Sequence, residues 1–230
     1  MSNKNKKTMI AADAGSKPKK TMIAIPCLDM VPTLFVESLL GLRRKHDTLL
    51  VTGRSSLVYD SRNMLAQMAV DQGFDRILWL DSDMVFEPDL MERLEADLDE
   101  GRRFVAALCF TRKNPIKPVA YSETGYRQAD DGTSHYQTYS ECITEYPDDA
   151  VFQVHGIGMA ATMMDVSVIT DVYGKFGSPF SPIAGFGEDI SFCRKCDELG
   201  IEMWCDSRIK VGHIAQTVVD EEKYLRGVVL

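Results

Sequence analysis

Leu78-Trp79-Leu80-Asp81-Ser82-Asp83 is the stretch from which the rest of this 230-residue chain is read. It closes the apolar run Arg76 to Leu80 (RILWL), which predicts a strand buried on both faces, as in the interior of a parallel sheet. Asp81 and Asp83, two positions apart on an extended chain, then point to the same side at the strand's carboxyl end. Open α/β sheets bind ligands at that edge. Two carboxylates held there repel each other, and a hard divalent cation such as Mg2+ or Mn2+ relieves the repulsion while bridging to a phosphate. The ordinary alternative is a solvated turn leading into the helix that opens at Pro88.

Working outward, the first half alternates strand and helix. Thr21 to Pro26 (TMIAIP) reads as a short buried strand, and Pro32 to Arg44 carries Phe35, Leu39 and Leu42 at helical spacing. Thr48 to Thr52 is a second strand ended by Gly53. From about Ser61 a helix keeps Met64, Leu65, Met68 and Ala69 on one face until Gly73 stops it. After the Arg76 strand, Pro88 and Asp89 open a helix with Leu90, Met91, Leu94 and Leu98 inward, Gly101 closes it, and Phe104 to Phe110 is a fourth strand. Four strands separated by three helices call for a parallel, doubly wound sheet. The second half changes character. Residues 111–150 are rich in Tyr, Thr, Ser, Asp and Gly, with a turn signal at Asp131-Gly132, and predict short antiparallel strands and loops. Val151 to Asp165 is strand-like around Gly156 and Gly158, Gly177 to Gly187 is a Pro/Gly-rich loop, and a helix (Asp189 to Leu199) and a strand (Glu202 to His213) follow. No linker interrupts residues 21–230, so a single α/β domain is expected, regular over 21–110 and irregular over 111–230.

Composition sets limits on function. Against 34 acids stand 26 Lys and Arg, but residues 1–20 hold six of the lysines and only Asp13. That leaves an acidic body of net charge −13 behind a basic head expected to be disordered. Such a body disfavours a broad nucleic-acid surface, which needs clustered Lys and Arg. The 45% hydrophobic content suffices for a full core, and no apolar run approaches the ~18 residues of a membrane helix. The head's apolar stretch, Met9 to Ala12, is too short for a signal peptide. Six sparse cysteines in a chain of this size read as reduced, buried thiols, which points to a cytoplasmic protein.

Further residues have types and positions suited to chemistry. Gly185-Phe186-Gly187-Glu188-Asp189 delivers two acids to a helix start, where Asp189 serves either as an N-cap or as a general base for a hydroxyl. Val211-Gly212-His213 ends a strand with a histidine, a candidate third metal ligand beside Asp81 and Asp83 or else a satisfied surface side chain. Ser61-Arg62-Asn63 at a helix N-terminus suits a diphosphate, or is a plain cap with a solvated Arg. Arg112 and Lys113 add positive charge just past the fourth strand.

Taken in order, IAIP, DSRNMLAQMA, ILWLDSDMVFEPDLMERL, FGEDISFCRKCDELG and VGHI resemble a small glycosyltransferase of the GT-A fold, close to the family-2-like enzymes. The resemblance spans roughly residues 21–215. It implies an α/β Rossmann-like sandwich with a central, mostly parallel sheet and an irregular C-terminal half, residues 21–110 forming the nucleotide-binding half and residues 111–230 the acceptor-binding half. It also implies a metal-dependent, inverting transfer from a nucleotide-diphosphate sugar to an acceptor hydroxyl, with Mn2+ or Mg2+ as cofactor. By resemblance Asp83 is the direct metal ligand, Asp81 contacts ribose or metal, and His213 completes the metal site. Ser82 lies between the two acids, Arg62 and Asn63 lie at the donor, and Pro26 lies beside the nucleotide base. Asp189, paired with Glu188, is the catalytic base. The segment Thr52-Gly53-Arg54 lacks the acid that many such enzymes place against the base. The acceptor is left open among a glycan, a protein, a small molecule and a modified base.

Three other readings compete. Cys193, Cys196, Cys205 and His213 have the ligand types of a Cys3His zinc site, although Phe192, Cys193, Cys196 and Leu199 also form one apolar helix face. A haloacid-dehalogenase-type phosphohydrolase also ends a strand in DxD, but at the start of its domain. A nucleotide-sugar or carbohydrate-binding module without turnover needs no base, and so leaves the Glu188-Asp189 pair without a use.

Overall fold

The computed structural model describes residues 19–44, 48–129 and 135–215. The expected basic head falls outside them except for its last two residues. Lys20 donates from Nζ to the Gln72 carbonyl (2.9 Å), and Lys19 stands 4.0 Å from Asp165. Both are docked on the body.

The elements run in the order β1 (Thr21–Pro26), α1 (Thr33–Gly41), β2 (Leu49–Gly53), α2 (Val58–Asp71), β3 (Arg76–Leu80), β4 (Met84–Val85), α3 (Leu90–Asp99) and β5 (Phe104–Leu108). They continue with β6 (Ala120–Gln128), β7 (Tyr136–Cys142), β8 (Val151–Val154), β9 (Gly156–Ile157), β10 (Ala161–Asp165), α4 (Val166–Phe176), α5 (Glu188–Glu198), β11 (Met203–Lys210) and β12 (Gly212–His213). A seven-stranded sheet has the order β2-β1-β3-β10-β5-β11-β8. It is mostly parallel, but β10 runs antiparallel between β3 and β5, with Ala161 opposite Leu80 and Thr162 opposite Ala106. The four strands expected to be parallel are so, yet they are not contiguous. A strand from the irregular half completes their sheet.

Both faces of this sheet are covered, and the side-chain alternation of β1 and β3 shows it. Met22, Ala24, Ile77 and Trp79 face one core layer with Leu65 and Ala69 of α2, Ile169 of α4 and Phe192 of α5. Ile23, Ile25, Leu78 and Leu80 face the other, with Phe35 of α1 and Leu90, Met91 and Leu94 of α3. The apolar run of β3 therefore has no polar alternation because it has no solvent face. Helix α4 has no counterpart among the expected elements. Its VSVITDVYGKF is rich in β-branched residues, but burial of Val166, Val168, Ile169 and Val172 along one face holds it helical, and Gly177 ends it at φ 69°.

Two small sheets finish the functional edge. In one, β12 pairs with β4 so that His213 stands opposite Met84, one residue from Asp83. In the other, β7, β6 and β9 form a three-stranded antiparallel sheet, as residues 111–150 led one to expect. Among the described residues no helix is long and apolar enough to cross a membrane.

Phe180, in the loop between α4 and α5, is fully buried, edge-on to Trp79 at 5.1 Å and stacked on Phe192 at 4.5 Å. Phe180→Ala is expected to lower unfolding free energy by about 3–5 kcal/mol in urea titration. Leu40→Ala, at a side chain 75% exposed on α1, should change it by less than about 0.5 kcal/mol. Equal effects at the two positions would contradict the assigned core.

Candidate functional site

All the parallel strands end at one edge, which gathers the chemistry-bearing residues of both halves. Asp81 leaves β3 with its N–H donated to the Ala160 carbonyl at the start of β10 (2.9 Å). Its carboxylate receives Arg62 Nη2 at 2.7 Å, while Arg62 Nε reaches Glu188 Oε1 at 3.3 Å. Arg62 is 2% exposed, lies over the Trp79 ring, and has a third nitrogen, Nη1, with no hydrogen-bond partner among the described residues. Rather than a solvated cap residue, it is a buried cation joining the DSD segment to the Glu188-Asp189 pair.

The second acid of the DSD segment has different surroundings. Asp83 Oδ2 receives Arg112 Nη1 at 2.8 Å and lies 3.3 Å from His213 Nε2. His213 Nδ1 is 3.0 Å from the Phe110 carbonyl, which only accepts, so Nδ1 carries the proton. In the neutral ring the Nε2 lone pair then faces Asp83, the tautomer a metal ligand needs. Two cis ligands of a hard cation at ~2.1 Å stand ~3 Å apart, so Asp83 and His213 fit a shared ion. Asp81 is turned to Arg62 instead. Among the described residues no group of three His, Cys, Asp or Glu side chains converges as a metal cage.

Asp189 sits in the first turn of α5, where the Gly187 N-cap brings the chain in extended and the helix dipole meets the two acids. One oxygen accepts the N–H of Ile190 at 2.7 Å. The other lies 3.9 Å from where a Cβ on Gly158 would stand, a position that only glycine fills because Val119 is 2.9 Å away. Burial, and next the charge of Glu188, push the Asp189 carboxyl up to about 6. The thiol of buried Cys109 and the phenol of half-buried Tyr121 are each pushed up to about 12, first by burial and then by nearby carboxylates, Asp81 and Asp189 for Cys109 and Asp189 for Tyr121.

The loop that presents Asp189 is stapled at several points. The buried ammonium of Lys195 donates to the carbonyls of Ser178, Pro179 and Ser181 at 2.8–2.9 Å. Ser191 Oγ accepts Ile183 N–H, and Asn63 Oδ1 accepts Phe180 N–H at 2.9 Å. Asn63, expected at the donor, thus holds this loop. On the outer side Tyr126 of β6 donates to the Ala184 carbonyl (2.8 Å) and packs edge-on to Phe186. Pro26 is buried beside Gly53 at the same sheet edge, on the far side of β1 from β3. Ser82 lines a cleft of about 470 Å3 with Met30, Pro32, Asp83, Arg112 and Ile214. A larger cleft of about 540 Å3 lies by β11, where Arg208 is engaged by Asp97 and Asp206 and no catalytic pair converges.

The zinc-type cysteines are core side chains. Cys193 Sγ bonds the backbone of Ile157, and burial pushes the thiols of Cys193, Cys196 and Cys205 up, away from thiolate. His213, the fourth ligand of that reading, is at Asp83. Tyr121, Lys195 and the Arg112 pairing with Asp83 were outside the expected constellation. Lys195 within FCRKCDELG reads as a surface lysine, and only its position on the inner side of α5 reveals it.

No known family's sequence profile matches this chain, and neither does any curated protein sequence. Solved structures do match in shape. A197 from STIV, a viral protein, superimposes with a TM-score of 0.58 at 16% identity, over 86% of each chain. GalNAc-T7 with UDP, GalNAc and Mn2+ superimposes with a TM-score of 0.58 at 12% identity, over 86% of this chain and 44% of that one. The fold is GT-A-like. This chain spans less than half of the GalNAc-T7 chain it matches, and at these identities the likeness concerns the fold alone. In a GT-A-like sheet the edge bearing Asp81, Asp83 and His213 is the carboxyl edge of β3 and β11, as read from the DSD segment.

The raised carboxyl of Asp189 has a consequence for stability. The folded chain holds this proton more tightly than the unfolded one, so native stability falls as pH rises from about 4 to about 6, and the full cost is present above that range. Asp189→Asn removes the titration. In denaturant titrations at pH 7.5 it is expected to be more stable than wild type by on the order of 2–3 kcal/mol at most, an advantage that vanishes by pH 4. The same difference at both pH values would contradict the assigned environment.

Proposed function

We propose that this chain is a divalent-cation-dependent glycosyltransferase that moves a sugar from a nucleotide-diphosphate donor to an acceptor hydroxyl. The observation that carries this reading is the Arg62 bridge, which places the DSD segment and the Glu188-Asp189 pair at one sheet edge. The GT-A-like fold supports it. Asp83 and His213 would hold Mn2+ or Mg2+, with Asp81 beside them toward the ribose. When bound there, the cation would supply positive charge to the diphosphate. Residues 21–110 hold the donor, with Pro26 toward the base and Ser82 in the donor cleft; residues 111–230 receive the acceptor.

The chain's own residues account for the transfer. Asp189 takes the proton of the acceptor hydroxyl as that oxygen bonds to the anomeric carbon. The carbon–oxygen bond to the diphosphate breaks, and its electron pair stays on the phosphate oxygen. Attack from the face opposite the leaving group inverts the anomeric centre. Arg62 keeps its charge beside Glu188 and Asp81, so that Asp189 is the acid of the group with the least ionic support. A carboxyl near 6 is ionised at neutral pH and is a stronger base than an ordinary Asp.

Hydrolysis of a panel of UDP-, GDP-, ADP- and TDP-sugars with Mn2+ tests this reading, with water as the acceptor. One donor is expected to turn over, with kcat/KM rising with pH through about 6. Asp189→Asn should lose about 10²–10⁴-fold in kcat while nucleotide binding is retained. Asp83→Ala should abolish the metal dependence. Binding without turnover on any donor, or turnover indifferent to Asp189, would overturn it, and phosphate release from simple phosphomonoesters would favour a phosphohydrolase.

A further inference from the structure

Each acid of the DSD segment rests on a guanidinium, and the two guanidiniums differ. Arg62, under Asp81, is 2% exposed and bonds a second carboxylate, so it is a fixed part of the fold. Arg112, on Asp83, has a side chain 51% exposed, on the loop between β5 and β6, and Asp83 is its one ion-pair partner among the described residues. The loop segment Thr111 to Lys117 (TRKNPIK) carries three cations and no acid. Asp83 itself is held from behind, its carbonyl accepting Ile214 N–H at 2.9 Å, so Arg112 is free to move where Asp83 is not. Arg112 contacts Oδ2, the same oxygen that faces His213 Nε2.

From this arrangement we infer that Arg112 is an exchangeable counter-ion. It neutralises Asp83 until a divalent cation takes that oxygen together with His213, and it then transfers its charge to the donor's diphosphate across the adjacent cleft. The inference rests on the transferase reading and adds a coupling to it. A half-exposed ion pair holds weakly, so the cation displaces it readily but still competes with it. The displaced guanidinium suits phosphate oxygens, which it binds in bidentate fashion. The cation and the diphosphate therefore each favour the other's binding, by the same factor in both directions. No covalent step is involved; the exchange is of ionic partners only.

The test is titration of the full chain with Mn2+, followed by electron paramagnetic resonance of free Mn2+, alone and with UDP, GDP, ADP or TDP. In wild type, the nucleoside diphosphate that binds should tighten Mn2+ binding about tenfold or more. Arg112→Ala should bind Mn2+ alone about threefold to fivefold more tightly than wild type, yet lose most of the tightening by nucleotide. Arg112→Lys should retain part of it. An exposed side chain is removed, so the thermal unfolding midpoint should stay at the wild-type value. If Arg112→Ala weakens Mn2+ binding alone, or leaves the coupling unchanged, the exchange is wrong while the transferase reading stands. If wild type binds neither Mn2+ nor any of the four nucleotides, the transferase reading fails and this inference falls with it.

Discussion

The buried guanidinium of Arg62 is the constraint on which the site depends. A fully desolvated cation is tolerated only where carboxylates meet it, and here one comes from the end of β3 and the other from the first turn of α5, 126 residues further along the chain than Arg62. Removing one partner of such a cluster costs about 3–5 kcal/mol, so the two segments are held together by more than the packing around them. Trp79 below and the stapled 177–187 loop beside it fix the geometry further. The third nitrogen of the guanidinium, Nη1, has no hydrogen-bond partner among the described residues.

Charge acts locally against the overall balance. The body is strongly acidic, and residues 81–100 alone hold nine acids against Arg93. A net negative field opposes a nucleotide diphosphate, and at the sheet edge the guanidiniums of Arg62 and Arg112 only partly offset Asp81, Asp83, Glu188 and Asp189, so a divalent cation bound there is what would reverse the sign an anion meets. Two carboxylates at this edge have different surroundings. Asp83, partly exposed and beside a histidine, suits a cation. Asp189, with its carboxyl withdrawn from water and beside Glu188, holds its proton more tightly and suits proton transfer.

The sheet edge was legible from residues 76–83, because an unbroken apolar strand that ends in two acids must leave a buried sheet at the point where it meets water. His213 was legible from its strand, and its pairing opposite Met84 shows why a histidine so far along the sequence meets Asp83. Periodicity could not reveal that β10 inserts antiparallel between β3 and β5, since strand order is set by crossovers and not by local pattern. Arg62 was legible as a residue of this edge and its partners were all named, but not as the buried bridge between them. Its burial is a tertiary fact. Asn63 and Lys195 were beyond reach because a polar residue that staples a loop looks, in sequence, like one that faces water.

We propose that His213 and Asp83 share a divalent cation with a nucleotide diphosphate at this edge. Pulsed electron paramagnetic resonance of Mn2+ bound with the diphosphate tests it most directly, because a ligating imidazole imprints 14N modulation and a diphosphate imprints 31P coupling on the same ion. Both signals are predicted in wild type, with the 14N component lost and the 31P component kept in His213→Ala. A 14N signal that survives that substitution, or a bound Mn2+ that shows neither coupling, would contradict the account.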